Sequence, residues 1–178
     1  MFFSKSARLI FLLCLYLTAC KGMENDLLPS QKDQRPQKDP SQASQQTSIT
    51  LYNTAGQPIT IAPADSKKPG TLLYFTMWCP VCASDTDQLI SQVIPQFPQF
   101  DYFVIDYVSG DYKAAKASQD SAGYPNPPFS VLADPNQLTT SRYHATMGIM
   151  VVLGPAGEIR FNEGFKNGVK LKNLLGSL

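Results

Sequence analysis

Cys79 and Cys82 are separated by two residues, at the point where the apolar run Thr71-Leu72-Leu73-Tyr74-Phe75-Thr76 gives way to a segment of helical character. No other feature constrains the chain as much. A buried-type strand has to end, turn and start a helix within a few residues. Pro80 suits the first helical turn, where a missing N–H costs nothing. Asp85 and Asp87 lie near that end and suit the positive pole of the helix dipole. Two thiols so placed can close a small disulfide ring and reopen it. The plainer alternative is a buried structural bridge, for which this spacing at a helix start is strained.

The pattern around this junction alternates. Ile49-Thr50-Leu51-Tyr52 and Ile59-Thr60-Ile61 flank a turn containing Gly56 and predict a hairpin. Leu72 to Thr76, Tyr102 to Val108 and Ile149 to Leu153 read as apolar strands, and Glu158 to Phe161 as a strand pairing back across Gly154-Pro155-Ala156-Gly157. Helices are predicted from Pro80 to about Val93, from Asp111 to about Gln119, from an Asp134-Pro135 start to about Tyr143, and from Val169 to Leu175. Tyr124-Pro125-Asn126-Pro127-Pro128 has to be irregular. Strands alternating with helices give an α/β domain with a mixed sheet spanning residues 49–178, large enough for one core. Tyr52, Tyr74, Tyr102, Tyr107 and Phe103 fall in apolar runs and are expected to pack.

The N-terminus bears on compartment. Lys5 and Arg8 precede an apolar run from Leu9 to Leu17, which has signal-peptide dimensions and is well short of the about 20 residues of a membrane span. It ends in Leu17-Thr18-Ala19-Cys20, which resembles the lipobox of bacterial lipoproteins. The resemblance implies a signal peptide at 1–19, lipidation of Cys20 and an anchor at the bacterial cell envelope. With Lys21 next, the periplasmic face of the outer membrane is implied if the cell has two membranes. The alternative is an ordinary signal with an incidental cysteine. Residues 20–48 continue as a Gln-, Lys-, Ser- and Pro-rich stretch that cannot offset its ordering entropy and reads as a disordered tether.

Composition narrows the chemistry. Net charge is +1 and basic residues do not cluster with aromatic ones, so nucleic acid is not an expected partner. With Cys14 in the signal and Cys20 lipidated, Cys79 and Cys82 are the thiols left, in a compartment where disulfides persist. One histidine, His144, leaves too few ligands for structural zinc. Met77, Met147 and Met150 are soft ligands that could join the cysteines around Cu(I), or core filler.

Taken in order, the Gly56 hairpin, Trp78-Cys79-Pro80-Val81-Cys82 after its strand, Asp85, Val131-Leu132-Ala133-Asp134-Pro135, and the Val151–Ile159 hairpin resemble the exported thioredoxin-fold thiol-disulfide oxidoreductases of the TlpA/ResA-like group. The resemblance implies a thioredoxin-like fold: a central mixed sheet, flanking helices and an N-terminal β-hairpin. It implies Cys79 as the nucleophile at the helix N-terminus, where thiolate is favoured. Cys82 would be the resolving thiol and Asp85 a proton acceptor through water, against the alternative of a solvated first-turn acid. Trp78, Pro80, Met147 and Gly148 would form the docking surface, although Trp78 could equally be a core aromatic. The implied partners are exported protein thiols and disulfides, with a DsbD/CcdA-type membrane electron donor; no cofactor is called for.

Two departures stand out. The family's cis-proline is absent from Thr146-Met147-Gly148-Ile149-Met150, so this loop is expected to be trans and shaped by Gly148. Leu73 occupies a position where many thioredoxins carry a buried acid. The competing reading is a copper-binding protein using Cys79 and Cys82 with His144 or Met147. Otherwise His144 caps a helix end at the surface. A peroxidase is disfavoured by the two-residue motif.

Overall fold

The computed structural model describes residues 48–61, 68–165 and 168–178. The predicted signal peptide, Cys20 and all but the last residue of the predicted tether lie outside the described residues.

Seven strands form one sheet: β1 Ile49–Asn53, β2 Pro58–Ile61, β3 Thr71–Thr76, β4 Asp101–Asp106, β5 Ser130–Ala133, β6 Ile149–Leu153 and β7 Ile159–Gly164. Their spatial order is β2-β1-β5-β4-β3-β6-β7. β3, β4 and β5 are parallel, and the remaining neighbours are antiparallel. This is the mixed sheet the alternation predicts. The β1–β2 hairpin forms as expected, its turn tied by the Asn53 Oδ1, which accepts the N–H groups of Ala55 and Gln57.

β5 was legible only as part of the family resemblance. It is the strand that joins the hairpin to the parallel core: Ala133 aligns with Asp106 of β4 on one side and with Tyr52 of β1 on the other. β1 runs against β5, so Ile49, Thr50 and Leu51 extend past Ala133 toward the end of the sheet at which β3, β4 and β5 finish.

Side-chain alternation along β3 builds two cores. Leu72 and Tyr74 enter one, with Val104, Val131, Met150 and Val152; Leu73 and Phe75 enter the other, with Ile105, Leu132 and Val151. Leu73, Tyr74 and Phe75 are fully buried, which is why the strand reads as a continuous apolar run. Helix α1, Pro80–Gln88, continues as a π-helical turn, Leu89–Val93, over the first face, where α4, Val169–Leu175, also packs. Tyr143, the last residue of α3, Leu138–Tyr143, covers the second. Helix α2, Tyr112–Ser121, is capped by Asp111, whose carboxylate accepts the N–H groups of Lys113 and Ala114.

Two predicted helices differ. The segment expected as one α-helix to Val93 widens at Leu89, where the Ile94 N–H reaches the Leu89 carbonyl five residues back. The wider turn keeps Leu89 and Val93, both fully buried, on the core face. The helix expected from Asp134-Pro135 starts instead at Leu138. Asp134 pairs with β4 through its N–H to the Asp106 carbonyl, a turn follows, and Gln137 takes a left-handed conformation (φ 52°) before the helix begins. The Asp134 carboxylate still caps that helix from a distance, accepting from Leu138 N (2.8 Å), Thr139 N (2.9 Å) and Thr139 Oγ1 (2.5 Å).

Because this carboxylate is fully buried, removing it strands three donors. Asp134→Ala should cost about 3 kcal/mol. Urea unfolding would register this as a lower midpoint at unchanged slope.

Candidate functional site

The site is assembled where β3 ends. Thr76 is fully buried, and its Oγ1 accepts the Trp78 N–H at 3.0 Å. That contact turns the chain sharply, and Trp78 lies in the left-handed region with φ 58°. A bulky side chain is rarely held there unless its surroundings fix it. Here the fixing group is Asp106, at the end of β4. The Asp106 Oδ2 accepts the indole N–H at 2.7 Å, and its carboxylate also accepts Val108 N, Ser109 N and Ser109 Oγ. Asp106 is itself fully buried. The Tyr124 ring lies 6.3 Å from the indole, and the Tyr124 hydroxyl donates to Asp87 Oδ1 (2.7 Å) and the Ala83 carbonyl (3.1 Å), tying this corner to α1.

The turn delivers Cys79 as the N-cap of α1, in an extended conformation. Its Sγ accepts the Cys82 N–H at 3.3 Å, and its carbonyl accepts the Ala83 N–H. Pro80 follows at the first helical position, as predicted. The two sulfurs lie 2.8 Å apart as free thiols; Cys79 is half-buried and Cys82 is buried. Burial alone would push the Cys82 thiol up. Hydrogen bonds from the Cys79 thiol, the backbone at Met77 and Cys79, and the Thr76 hydroxyl outweigh it and draw the thiol below its usual range. Cys79 is the more accessible of the two sulfurs and so the one that can meet another molecule.

Asp85 lies past the first turn of α1. It is half-buried one helical turn beyond Cys82, and its Oδ2 accepts the Tyr74 hydroxyl at 3.2 Å. The Tyr74 hydroxyl also lies 3.3 Å from the Cys82 carbonyl. Burial pushes the Asp85 carboxyl above its usual range, with the Tyr74 hydrogen bond opposing. Burial, followed by the charge of Asp85, pushes the Tyr74 phenol far up, so it stays a donor.

The loop opposite the sulfurs is the one predicted. Among the described residues there is no cis peptide bond, and Gly148 takes φ 77°, as its role in shaping a trans loop requires. The Gly148 N–H donates to the Phe75 carbonyl (2.9 Å), and the Met147 N–H to the Tyr107 hydroxyl (3.0 Å). The Met147 Sδ lies 3.4 Å from the Cys79 Sγ. A side chain on Gly148 would begin 3.8 Å from Asp85 Oδ2, so this loop faces both the dithiol and the acid. Met77, Val81 and Met147 are exposed around the sulfur pair.

Of the predicted site residues, Trp78, Cys79, Pro80, Cys82, Asp85, Met147 and Gly148 therefore meet in one place. His144 does not join them: it is exposed, left-handed (φ 50°) and forms the C-cap of α3, with its N–H on the Thr140 carbonyl. Met150 is core. Among the described residues, no group of three or more His, Cys, Asp or Glu side chains is placed to hold a metal. Sequence reasoning missed the hydroxyls of Tyr74 and Tyr107, which were expected only to pack, and the carboxylate of Asp106. The available signal was physical: a phenol or carboxylate inside an apolar strand needs a partner when buried.

No family model and no curated protein matches the chain. Solved structures do. A thioredoxin-like protein from Aeropyrum pernix aligns with TM-score 0.58 at 14% identity, covering 78% of this chain and 91% of that one. A secreted Mycobacterium tuberculosis disulfide oxidoreductase, homologous to E. coli DsbE, aligns at 0.55 and 21%, covering 73% and 96%. The exposed lipoprotein thioredoxin Etrx1 of Streptococcus pneumoniae aligns at 0.53 and 17%, covering 74% and 100%. At these identities the likeness establishes the fold, which is thioredoxin-like.

Two substitutions probe the geometry. Asp106→Ala strands the indole and two backbone N–H groups, so it should cost about 3 kcal/mol. It should also red-shift the emission of Trp78, the only tryptophan in the chain. Asp85→Asn should raise the melting temperature at pH 7. A carboxyl whose folded pKa is raised destabilises the fold once ionised, and the amide removes that charge. The gain should shrink as the pH falls through the raised folded value toward the unfolded one, where wild type is neutral as well.

Proposed function

We propose that this protein is an envelope-anchored thiol-disulfide oxidoreductase that acts on exported proteins, most often as a reductant. The observation that carries the reading is the unequal access of two touching sulfurs: Cys79, half-buried at a helix N-cap, lies 2.8 Å from buried Cys82. Helix N-termini stabilise a thiolate, and a dithiol at a strand-to-helix junction suits exchange. The thioredoxin-like fold, and the solved neighbour described as a secreted disulfide oxidoreductase, agree with it.

The exchange takes two steps. The Cys79 thiolate attacks one sulfur of a client disulfide; that bond breaks, a mixed disulfide forms, and the departing client thiolate takes a proton from water. Cys82 then gives its proton through water to Asp85 and attacks the Cys79 sulfur. The mixed disulfide breaks, Cys79–Cys82 forms, and the second client sulfur leaves as a thiolate that takes the proton back from Asp85 through water. The client gains two electrons, and a DsbD/CcdA-type membrane dithiol returns them to Cys79 and Cys82. Trp78, Pro80, Met147 and Gly148 form the docking face, and exposed Met147, with exposed Met77 and Val81 beside it, accepts varied apolar segments. Lipidated Cys20 and the following stretch hold the domain at the envelope, on the periplasmic face of the outer membrane where there are two membranes.

Cys82→Ser should accumulate the mixed disulfide with a model client and Cys79→Ser should not; non-reducing electrophoresis reads this directly. Equal trapping by both variants would overturn the assigned roles. A reduction potential near the thioredoxin value of about −270 mV would fit a reductant, and one near about −120 mV an oxidant.

A further inference from the structure

We propose that the reduced protein binds one Cu(I) ion through three sulfurs: the thiolates of Cys79 and Cys82 and the thioether of Met147. Cys79 Sγ touches both of the others, at 2.8 Å to Cys82 Sγ and 3.4 Å to Met147 Sδ. The contacts place three soft donors at one mouth. Thiolate and thioether ligands select Cu(I) over the harder divalent ions, and three sulfurs leave the tetrahedral set preferred by structural zinc one short.

The thioether is held in place by its loop. On one side of it the Met147 N–H is held by the Tyr107 hydroxyl, and on the other the Gly148 N–H is held by the Phe75 carbonyl. The other nearby methionines show the contrast. Met150 is fully buried in the core beneath the sheet. Met77 is as exposed as Met147, and it reaches Cys82 with its backbone. At 42% exposure Met147 is not filling a core gap, the usual work of methionine. Its exposure also leaves an open path for the ion, with Cys79 half-accessible beneath it. His144 is excluded by position, since it caps α3 outside the sulfur cluster.

Binding is not a redox step. Cu(I) enters as Cu(I), each cysteine gives its proton to solvent, and two thiolates with one Cu(I) leave the site with a net charge of −1. The same thiolates perform the proposed disulfide exchange, so copper loading and exchange exclude each other. The protein would be switched off as an oxidoreductase while it carries the ion.

The test is an anaerobic titration of the reduced protein with Cu(I) against a chromophoric Cu(I) chelator, with X-ray absorption to count sulfur neighbours. One Cu(I) per chain with three sulfurs is expected. Met147→Leu should weaken binding roughly tenfold or more, the scale on which even indirect supports of a metal site act. Cys79→Ser and Cys82→Ser should abolish tight binding, and His144→Ala should leave it unchanged. Two sulfurs in the wild-type spectrum, unchanged affinity in Met147→Leu, or a loss in His144→Ala equal to that in Met147→Leu would overturn the proposal. The sulfur count needs no variant, so a misfolded Met147→Leu does not blunt the test. Disulfide exchange by the copper-free wild type, measured on the same preparation, keeps the two readings apart. Exchange without copper binding sinks only this inference, and copper binding without exchange sinks only the oxidoreductase.

Discussion

The corner that holds the two thiols depends on one buried carboxylate. Asp106 gathers the Trp78 indole, two backbone N–H groups and the Ser109 hydroxyl at the end of β4, while the Thr76 hydroxyl holds the backbone N–H of left-handed Trp78. The parallel register of β3 and β4 sets Asp106 beside Thr76, so both partners of the turn are delivered by adjacent strand ends. Sheet pairing thus fixes the point at which the chain leaves β3. The turn in turn fixes where Cys79 caps α1. A buried carboxylate with several donors is worth far more than a surface ion pair, because its partners would otherwise face a desolvated void.

The opposite wall is held by different means. The loop carrying Met147 and Gly148 is tied by the Met147 N–H to a phenol, by the Gly148 N–H to the Phe75 carbonyl of β3 and by the Gly148 carbonyl to the Phe165 N–H, and Gly148 supplies the left-handed backbone angle. The result is a sulfur-rich mouth with a carboxyl, raised by burial, close to its floor. Neither wall alone makes the site. The acid on α1 and Gly148 of the loop face each other because β6 pairs against β3, so that the loop leads into β6 near the level of the strand end.

The fold was readable where the sequence repeats a simple period. Leu72 to Phe75 alternate between two cores, and both hairpins carry their own turn chemistry. The two thiols were readable because few residue types can do their chemistry. What escaped was long-range. Asp134 looks like an ordinary N-cap beside Pro135, and only its pairing with β4 pushes the helix start back to Leu138. Tyr74 and Tyr107 look like packing residues until strand register brings their hydroxyls to Asp85 and Met147. Asp106 carries no local signal for its role, because its partner Trp78 lies 28 residues earlier.

The register of β1 has a consequence for geometry at a surface. Tyr52, Ala133, Asp106 and Thr76 lie on one level across the sheet. Ile49, three residues before Tyr52, therefore rises about 10 Å above that level. The polypeptide enters its domain from the sulfur side, a few strand widths from Cys79. The free end of β1 and the sulfur-bearing corner thus share one rim of the sheet, and the rim where β3, β4 and β5 begin is turned away from both.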